Sequence, residues 1–321
     1  MLAVSCTSQS AEDPLSGLTV GQRPDPVAPE GWVRVQVRAA SLNHHDLWSL
    51  RGVGLSADRL PMVLGCDAAG IAEDGSEVVV HGLVGDPDWT GDETLDPHRS
   101  ILSELHQGTL AEQVVVPRRN LLPKPASLSF AQAACLPTAW LTAYRMLFTQ
   151  AGVKPGDRVL IQGAGGGVST AAIALARAAG LVVWVTGRDA DKRERALALG
   201  ACAVFEPGAR LPVRVDAVLE TVGKATWSHS MKSLRPGGTL VVSGATTGAD
   251  PAADLNRLFF LQLRVVGSTM GTRDELAGLL SLLDTTGVQP HVDEVIGLAE
   301  ARRGFERLVA GDVVGKLVLT P

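Results

Sequence analysis

The sequence is poor in aromatic residues and in cysteine. Of its 321 residues only 4% are Phe, Trp or Tyr, with a single tyrosine. The four cysteines, Cys6, Cys66, Cys135 and Cys202, are far apart and include no C-x-x-C pair. Neither a disulfide framework nor a structural zinc knuckle is indicated, and a reducing, cytoplasmic setting is expected.

Basic runs and long apolar runs are also missing. The formal net charge of −5 gives no general attraction to phosphate backbones or anionic membranes, so neither a nucleic-acid nor a membrane partner is expected. The N-terminal segment has no basic region before an apolar stretch, which argues against a secretory signal. The longest apolar region is interrupted by Arg177 and Gly180 and is too short to span a bilayer.

The first part of the chain has the pattern of short strands. In "GWVRVQVRAA", Val33, Val35 and Val37 alternate with polar residues, which predicts a half-buried strand. Similar runs follow at "GIAED", "SEVVVHG" and "AEQVVVP", whereas the polar stretch 85–107 predicts a loop with one short helix. A small, mostly β domain is therefore expected.

After Pro123 and Pro125, which predict a linker, β and α patterns alternate. Ser129 is a candidate N-cap for a helix near Phe130 to Thr149, and the segments "RVLIQG", "VVWVTG", "DAVLETVG" and "GTLVVSGA" predict strands separated by helices. This order predicts an α/β fold with a doubly wound parallel sheet.

A glycine cluster joins the first of these strands to the next helix, in "VLIQGAGGGVSTAAIALARAAG". Small residues such as Gly163 and Ala164 let the backbone approach a pyrophosphate, which the N–H groups and dipole of the helix start then stabilise. Ser169 stands where the last glycine of a strict G-x-G-x-x-G motif would be, and serine is small enough to be tolerated. The strand–loop–helix context predicts dinucleotide binding.

The end of the second strand favours NADP(H) over NAD(H). Gly187 takes the place of a carboxylate that would accept ribose hydroxyls, and Arg188 and Lys192 could contact a 2′-phosphate. Against this stand Asp189 and Asp191, and the basic residues would also suit the solvated start of a helix.

Several motifs in a fixed order resemble the medium-chain dehydrogenase/reductase superfamily. They include "LNHHDLW", "LPMVLGCDAAG", "ACLPTAWLTAYRML", "VKPGDRVLIQGAGGGV", "LRPGGTLVVSGA" and "GKLVLTP". The chain looks most like the quinone oxidoreductases of the zinc-binding dehydrogenase group. The resemblance implies a GroES-like β-barrel domain over 1–123 and 287–321, a Rossmann domain over 124–286, and a homodimer formed through edge strands, here "LRVVGSTMG".

The resemblance also implies which residues meet the cofactor. Thr138 would lie beside the nicotinamide, and Gly166, Gly167 and Val168 would hold the pyrophosphate. Arg188 and Lys192 match positions that contact the 2′-phosphate. Strand-end and C-terminal positions near the cofactor are Val222, Gly244, Ala245, Thr246, Ser268, Thr269, Met270 and Lys316.

No zinc site is expected. At positions where related alcohol dehydrogenases have a zinc-binding cysteine and histidine, this chain has Asn43 and Cys66, and the loop 82–108 has no cysteine for a structural zinc. A different site would need His44 or His45 with Cys66 and Asp67, but adjacent histidines on an extended segment would point to opposite sides.

The leading hypothesis is a zinc-independent, NADPH-dependent reductase of quinones or α,β-unsaturated carbonyls. Asn43 could donate a hydrogen bond to a developing oxyanion, and His44 or His45 could donate the proton, because Trp48 replaces a tyrosine of many relatives. Asp46 is expected to fix the backbone nearby. The alternatives are a zinc-dependent alcohol dehydrogenase and a non-catalytic, crystallin-like or regulatory NADPH-binding protein.

Overall fold

The computed structural model describes all residues from Met1 to Pro321. The chain forms two compact units, which we call unit 1 (Met1–Leu141 with Met270–Pro321) and unit 2 (Thr142–Thr269). None of the helices has both the length and the apolar character that a membrane crossing needs.

The chain contains eighteen strands and nine α-helices. The strands are β1 Leu2–Cys6, β2 Leu18–Gln22, β3 Trp32–Ser41, β4 Met62–Val63, β5 Ala68–Ala72, β6 Glu77–Val80, β7 Leu83–Val84, β8 Ser100–Ile101, β9 Gln113–Pro117, β10 Leu121–Pro123, β11 Arg158–Gln162, β12 Val182–Thr186, β13 Ala203–Phe205, β14 Val215–Glu220, β15 Leu234–Val242, β16 Arg264–Gly267, β17 Val292–Gly297 and β18 Lys316–Thr320. The helices are α1 His44–Leu50, α2 Phe130–Ala133, α3 Leu141–Tyr144, α4 Gly167–Ala178, α5 Ala190–Ala198, α6 Lys224–Ser233, α7 Leu255–Phe260, α8 Arg273–Thr286 and α9 Ala301–Ala310.

Unit 1 is built mainly from β-strands, as the sequence predicts. Its largest sheet has the order β10-β6-β5-β3-β18-β17, with β9 also pairing with β3. The inward side chains of β3, Val35 and Val37, pack in one core with Phe305 of α9. Strand β18 runs antiparallel to β3, with Val318 opposite Ser41, so the C-terminal strand lies beside the end of β3.

Unit 2 is a parallel sheet with the strand order β13-β12-β11-β14-β15-β16. Numbered from β11, this is the order 3-2-1-4-5-6 of a doubly wound dinucleotide-binding sheet, which confirms the predicted fold class. In this topology the carboxyl ends of all strands meet at one edge of the sheet. Ligands of such sheets bind outside that edge, where the strand order reverses between β11 and β14.

Some elements differ from the sequence-based prediction. The single helix expected from Phe130 to Thr149 is divided into α-helical and π-helical turns over 130–151, with Pro137 near the start of the first π-helical segment because proline supplies no N–H to the helix. The sequence-based boundaries place the segments 124–141 and 270–286 in the Rossmann domain, whereas in the structure they group with unit 1. Helix α2 in the first of these segments packs against β3 and β5.

Candidate active site

The glycine-rich loop of unit 2 joins β11 to α4. Gly163 has a φ of 92°, which is strained for any residue with a side chain, and its N–H donates to the carbonyl of Thr186 at 3.0 Å. Gly166 is the N-cap of α4 and Gly167 its first residue, and no acidic residue lies in the first turn. The small residues and the positive end of the helix dipole therefore fit a pyrophosphate.

A buried polar network fixes the strand ends around this loop. The side-chain oxygen of Gln162 accepts from the Thr186 hydroxyl, and its Nε2 donates to Ser230 Oγ at 2.9 Å. Ser230 donates in turn to Glu220 Oε2 at 2.6 Å, while Glu220 Oε1 accepts the backbone N–H of Val222 at 2.8 Å. The carboxyl ends of β11, β12 and β14 are thus held by satisfied hydrogen bonds.

The end of β12 has no space for a side chain at Gly187. A Cβ on Gly187 would lie 2.8 Å from the Cβ of Ala164. Arg188 is exposed and Lys192 is half-buried in the first turn of α5. Arg193 instead stabilises the backbone here, because its Nη1 donates to the carbonyls of Gly187 at 2.6 Å and Arg188 at 3.2 Å.

Asp189, one of the two acidic residues that argue against NADP(H) in the sequence, is the N-cap of α5. Its Oδ1 accepts the N–H of Lys192 at 2.9 Å, and this hydrogen bond lowers the pKa of Asp189. Its carboxylate is therefore already engaged at the helix start.

The other predicted cofactor residues of unit 2 lie at the same edge. Each lies within four residues after the end of β14, β15 or β16: Val222, Gly244, Ala245, Thr246, Ser268 and Thr269. The structure thus brings them to the edge that carries the glycine loop. Thr138, Met270 and Lys316 belong to unit 1.

The "SLNHHDLW" motif turns from a strand into a helix. Strand β3 ends at Ser41 and α1 begins at His44, so the prediction of an extended segment through both histidines is wrong. Asp46 holds this helix start, since its Oδ2 accepts the N–H of Asn43 at 2.8 Å and its Oδ1 accepts the N–H of Gly65 at 3.0 Å. This confirms the predicted backbone role of Asp46.

A buried lysine lies at the centre of this region. Lys316, which is 3% exposed, donates to the carbonyl of Leu42 at 2.6 Å and to Asn43 Oδ1 at 2.5 Å. Its Nζ is 3.6 Å from Asp67 Oδ2, an oxygen that also accepts from Ser41 Oγ at 2.7 Å. The ammonium is therefore balanced by a buried carboxylate and satisfied by hydrogen bonds.

This arrangement changes the roles predicted for Asn43 and Lys316. The Asn43 amide donates to Asp67 Oδ2 at 2.8 Å and to the Ser41 carbonyl at 3.3 Å, and it lies 3.6 Å from Cys66 Sγ. Because both amide hydrogens are engaged, Asn43 presents no spare donor to an oxyanion. It joins Lys316 to Asp67, and Lys316 is enclosed within unit 1.

His45 lies between a carboxylate and a thiol. Its Nε2 is 3.0 Å from Glu104 Oε1, and a ring nitrogen lies within 4.8 Å of Cys66 Sγ. Burial by itself would lower the pKa of His45, but hydrogen bonds with Cys66 and Glu104 outweigh it and raise this pKa well above 6.5. This environment therefore favours the protonated imidazolium form of His45.

His44 has a different environment. It lies at the first position of α1, about 100° around the helix axis from His45, and is exposed. Loss of hydration around the ring, followed by the charges of Lys316 and Arg51, lowers the pKa of His44. The two histidines thus differ in protonation, which the sequence does not reveal.

Comparison with known proteins identifies the family. The family model for the alcohol dehydrogenase GroES-like domain matches residues 29–126, and that for zinc-binding dehydrogenase matches residues 167–285. An acryloyl-coenzyme A reductase of Metallosphaera sedula is 31% identical over 95% of this chain and 96% of its own length. The chain belongs to the medium-chain dehydrogenase/reductase superfamily.

Further relatives include a larger protein and two solved structures. Spectinabilin polyketide synthase system protein NorB of Streptomyces orinoci is 33% identical, and the chain spans only 13% of that protein. A crystal structure of an NAD-dependent alcohol dehydrogenase has a TM-score of 0.92 and 34% identity, covering 100% of both chains. The 2-octenoyl-CoA carboxylase reductase CinF in complex with NADP and 2-octenoyl-CoA has a TM-score of 0.90 and 28% identity, covering 99% of this chain and 87% of that one.

The zinc that the family model's name implies does not fit the residues present. Asn43 and Cys66 occupy the two ligand positions compared above, and the ammonium of Lys316 lies 2.5 Å from Asn43 Oδ1, where its charge opposes a divalent cation. The nearby group of His45, Asp46 and Cys66 offers ligand atoms within 4.8 Å of one another. Both oxygens of Asp46, however, already accept backbone N–H groups, and Glu104 pairs with His45.

Sequence reasoning missed four residues of these networks, and three of them carry no recognisable sequence signal for their role: Asp67, Glu104 and Gln162. Asp67 and Glu104 become neighbours of the motif only through folding. Glu220 offers one usable signal, since an acidic residue ends the buried strand pattern "DAVLE" next to a turn. A completely buried carboxylate at a strand end must accept several hydrogen bonds. It therefore indicates that the following turn supplies the donors.

We expect the purified protein to hold no stoichiometric zinc, because Lys316 and the Asn43 amide occupy the place of a ligand set. Metal content would be measured by plasma mass spectrometry before and after chelator treatment. As a control, the affinity for NADPH is expected to be the same in both samples. Tightly held zinc whose removal abolishes turnover would contradict this assignment.

Proposed function

We propose that the protein uses NADPH, without a metal, to reduce carbonyl compounds conjugated to an alkene. The observation that carries the proposal is the buried cluster in which Lys316, Asn43 and the imidazolium of His45 replace a metal-ligand set. Hydride addition to a conjugated alkene leaves a delocalised negative charge, which needs a proton more than a strong Lewis acid. The acryloyl-coenzyme A reductase and the octenoyl-CoA complex among the relatives support this substrate class.

NADP(H) is the cofactor that unit 2 suits best, and when bound it supplies the hydride. Gly163, Gly166 and Val168 would line the pyrophosphate, and Arg188 with Lys192 would neutralise the 2′-phosphate. Thr138 takes the position that the resemblance assigns beside the nicotinamide. His45 holds the proton that completes the reduction, with Glu104 keeping it charged.

Hydride addition to a quinone also leaves a delocalised negative charge, as it does for conjugated carbonyls. Quinones are therefore a second candidate substrate class. The deciding experiment is NADPH oxidation, followed by its absorbance, with a panel of enoyl thioesters, enals, enones and quinones, and with saturated ketones as controls. Turnover of the conjugated compounds alone is expected. Tight NADPH binding without turnover of any compound would favour a non-catalytic role, and zinc-dependent oxidation of simple alcohols would favour an alcohol dehydrogenase.

The cofactor preference depends on Arg188. Replacing it in Arg188→Ala is expected to weaken NADPH binding about tenfold or more, since charge-assisted hydrogen bonds to phosphate contribute about 1.5–3 kcal/mol. NADH affinity should stay unchanged, as titrations of cofactor fluorescence would show. Arg235→Ala is the matched control, because Arg235 pairs with Asp216 at 2.6 Å near the opposite edge of the sheet. Equal NADPH and NADH affinities in both the wild type and Arg188→Ala would refute the assignment.

The proton source is tested by pH. His45 donates as the imidazolium, which exists below its raised folded-state pKa, so kcat should fall as the pH rises through that value, well above 6.5. The stability that the charged ring contributes is lost over the same interval. His45→Gln should lower kcat by about 10²-fold or more, whereas His44→Gln should retain both turnover and the pH profile. Loss of turnover in His44→Gln alone would reverse the roles of the two histidines.

We further propose that two copies pair through β16. This strand pairs with β15 on one side only, Val265 is 43% exposed, and the preceding helix α7 exposes Phe259 by 68% and Phe260 by 79%. An open apolar edge of this kind favours pairing with a second chain.

Val265→Lys is therefore expected to convert a dimer into a monomer in sedimentation velocity, because a lysine on an edge strand disfavours strand pairing. Val309→Lys, at a 47% exposed position on α9 of unit 1, should remain dimeric. A monomeric wild type, or a Val265→Lys variant that stays dimeric, would exclude this interface.

A further inference from the structure

Cys66 is a completely buried thiol between Thr138 and His45. Its Sγ is 3.3 Å from Thr138 Oγ1, and a ring nitrogen of His45 lies within 4.8 Å of it. On the other side of the ring, Nε2 is 3.0 Å from Glu104, and the side chains of His45 and Glu104 are 18% and 21% exposed. Four neighbouring side chains, Glu104, His45, Cys66 and Thr138, therefore lead from partly exposed Glu104 to half-buried Thr138.

The members of this row can pass a proton from one to the next. A thiol and a hydroxyl each donate one hydrogen bond and accept others, and an imidazole can bind a proton at either nitrogen. The Asn43 amide donates to the sulfur of Cys66 at 3.6 Å. The S–H group can therefore donate to Thr138 Oγ1, 3.3 Å away.

The protonation of the Cys66 thiol suits a role in proton transfer better than a role as a nucleophile. Burial raises the pKa of Cys66, and the hydrogen bond from His45 only partly opposes this. Cys66 therefore keeps its proton at neutral pH, and a lasting thiolate in this enclosed place would be costly.

We infer that Cys66 and Thr138 relay the proton of His45 to the substrate. This inference depends on the proposed reductase function. With NADPH bound, the hydride that it supplies would reduce the β-carbon of the substrate, and the Thr138 hydroxyl would give its proton to the α-carbon. In the same event Thr138 takes the S–H proton, and the sulfur takes the N–H proton of His45. The imidazole left neutral regains a proton from solvent beside Glu104, so no other reactant is consumed.

The test compares Cys66→Ala, which interrupts the row, with Cys66→Ser, whose hydroxyl can still accept and donate. The control is Cys135→Ala, because Cys135 is equally buried but its thiol donates to the carbonyl of Ala131 at 3.2 Å. Turnover of a conjugated carbonyl would be measured in H₂O and D₂O, with protiated and C4-deuterated NADPH. NADPH affinity would be measured for each variant to show that the cofactor site is intact.

Cys66→Ala is expected to lower kcat by about 10²-fold. Its solvent isotope effect should rise and its NADPH isotope effect should shrink, because proton transfer becomes rate-limiting. Cys66→Ser should regain most of the turnover, and Cys135→Ala should match the wild type in all four measurements. A substitution that only destabilises the structure would lower the affinity for NADPH. It would not raise the solvent isotope effect while lowering the NADPH isotope effect.

A second readout does not need turnover. In ¹⁵N spectra of histidine-labelled protein, the pKa of His45 should fall in Cys66→Ala and stay unchanged in Cys135→Ala. The relay is overturned if Cys66→Ala keeps the turnover and isotope effects of the wild type, if Cys66→Ser is as impaired as Cys66→Ala, or if the His45 pKa does not move. A wild type that reduces no conjugated carbonyl overturns the proposed function first, and the relay with it.

Discussion

The ion pair between Lys316 and Asp67, bridged by Asn43, is the interaction on which the candidate site of unit 1 depends. The Lys316 side chain is 3% exposed and that of Asp67 is fully buried, so neither charge is stabilised by bulk water. Removing one partner of a buried pair leaves the other uncompensated, at a cost of about 3–5 kcal/mol. The pairing therefore requires β18 to lie against β3 in one register, which places the C-terminal strand beside the "SLNHHDLW" motif.

The same cation determines what chemistry the motif can support. Its ammonium is held by Asn43 and opposes a second positive charge at that place. It also contributes to the lowered pKa of His44, whereas His45, paired with Glu104 and Cys66, keeps its proton. Two adjacent histidines of one sequence motif thus acquire different protonation because α1 turns one toward a carboxylate and leaves the other exposed.

The sequence was sufficient for the parts of the molecule that depend on local pattern. The strand alternation around Val35, the glycine loop after β11 and the helix start at Ser129 all follow from residues close together in the chain. The start of α1 could also have been found, because Asn43 followed three residues later by Asp46 is a helix N-terminal pattern. The Lys316–Asp67 pair could not, since its partners are 249 residues apart and nothing in either neighbourhood specifies the other.

This difference follows from how each site is built. The cofactor edge in unit 2 consists of strand ends in one regular sheet, so the backbone positions each residue once the β–α order is known. Even Glu220, which no motif revealed, acts on the backbone two residues away. The cluster in unit 1 is instead assembled from side chains of five separate segments, around residues 43, 66, 104, 138 and 316. A change in any one segment can alter the chemistry of this cluster without disturbing the dinucleotide-binding fold. Two proteins with the same cofactor-binding sheet edge therefore need not catalyse the same reaction.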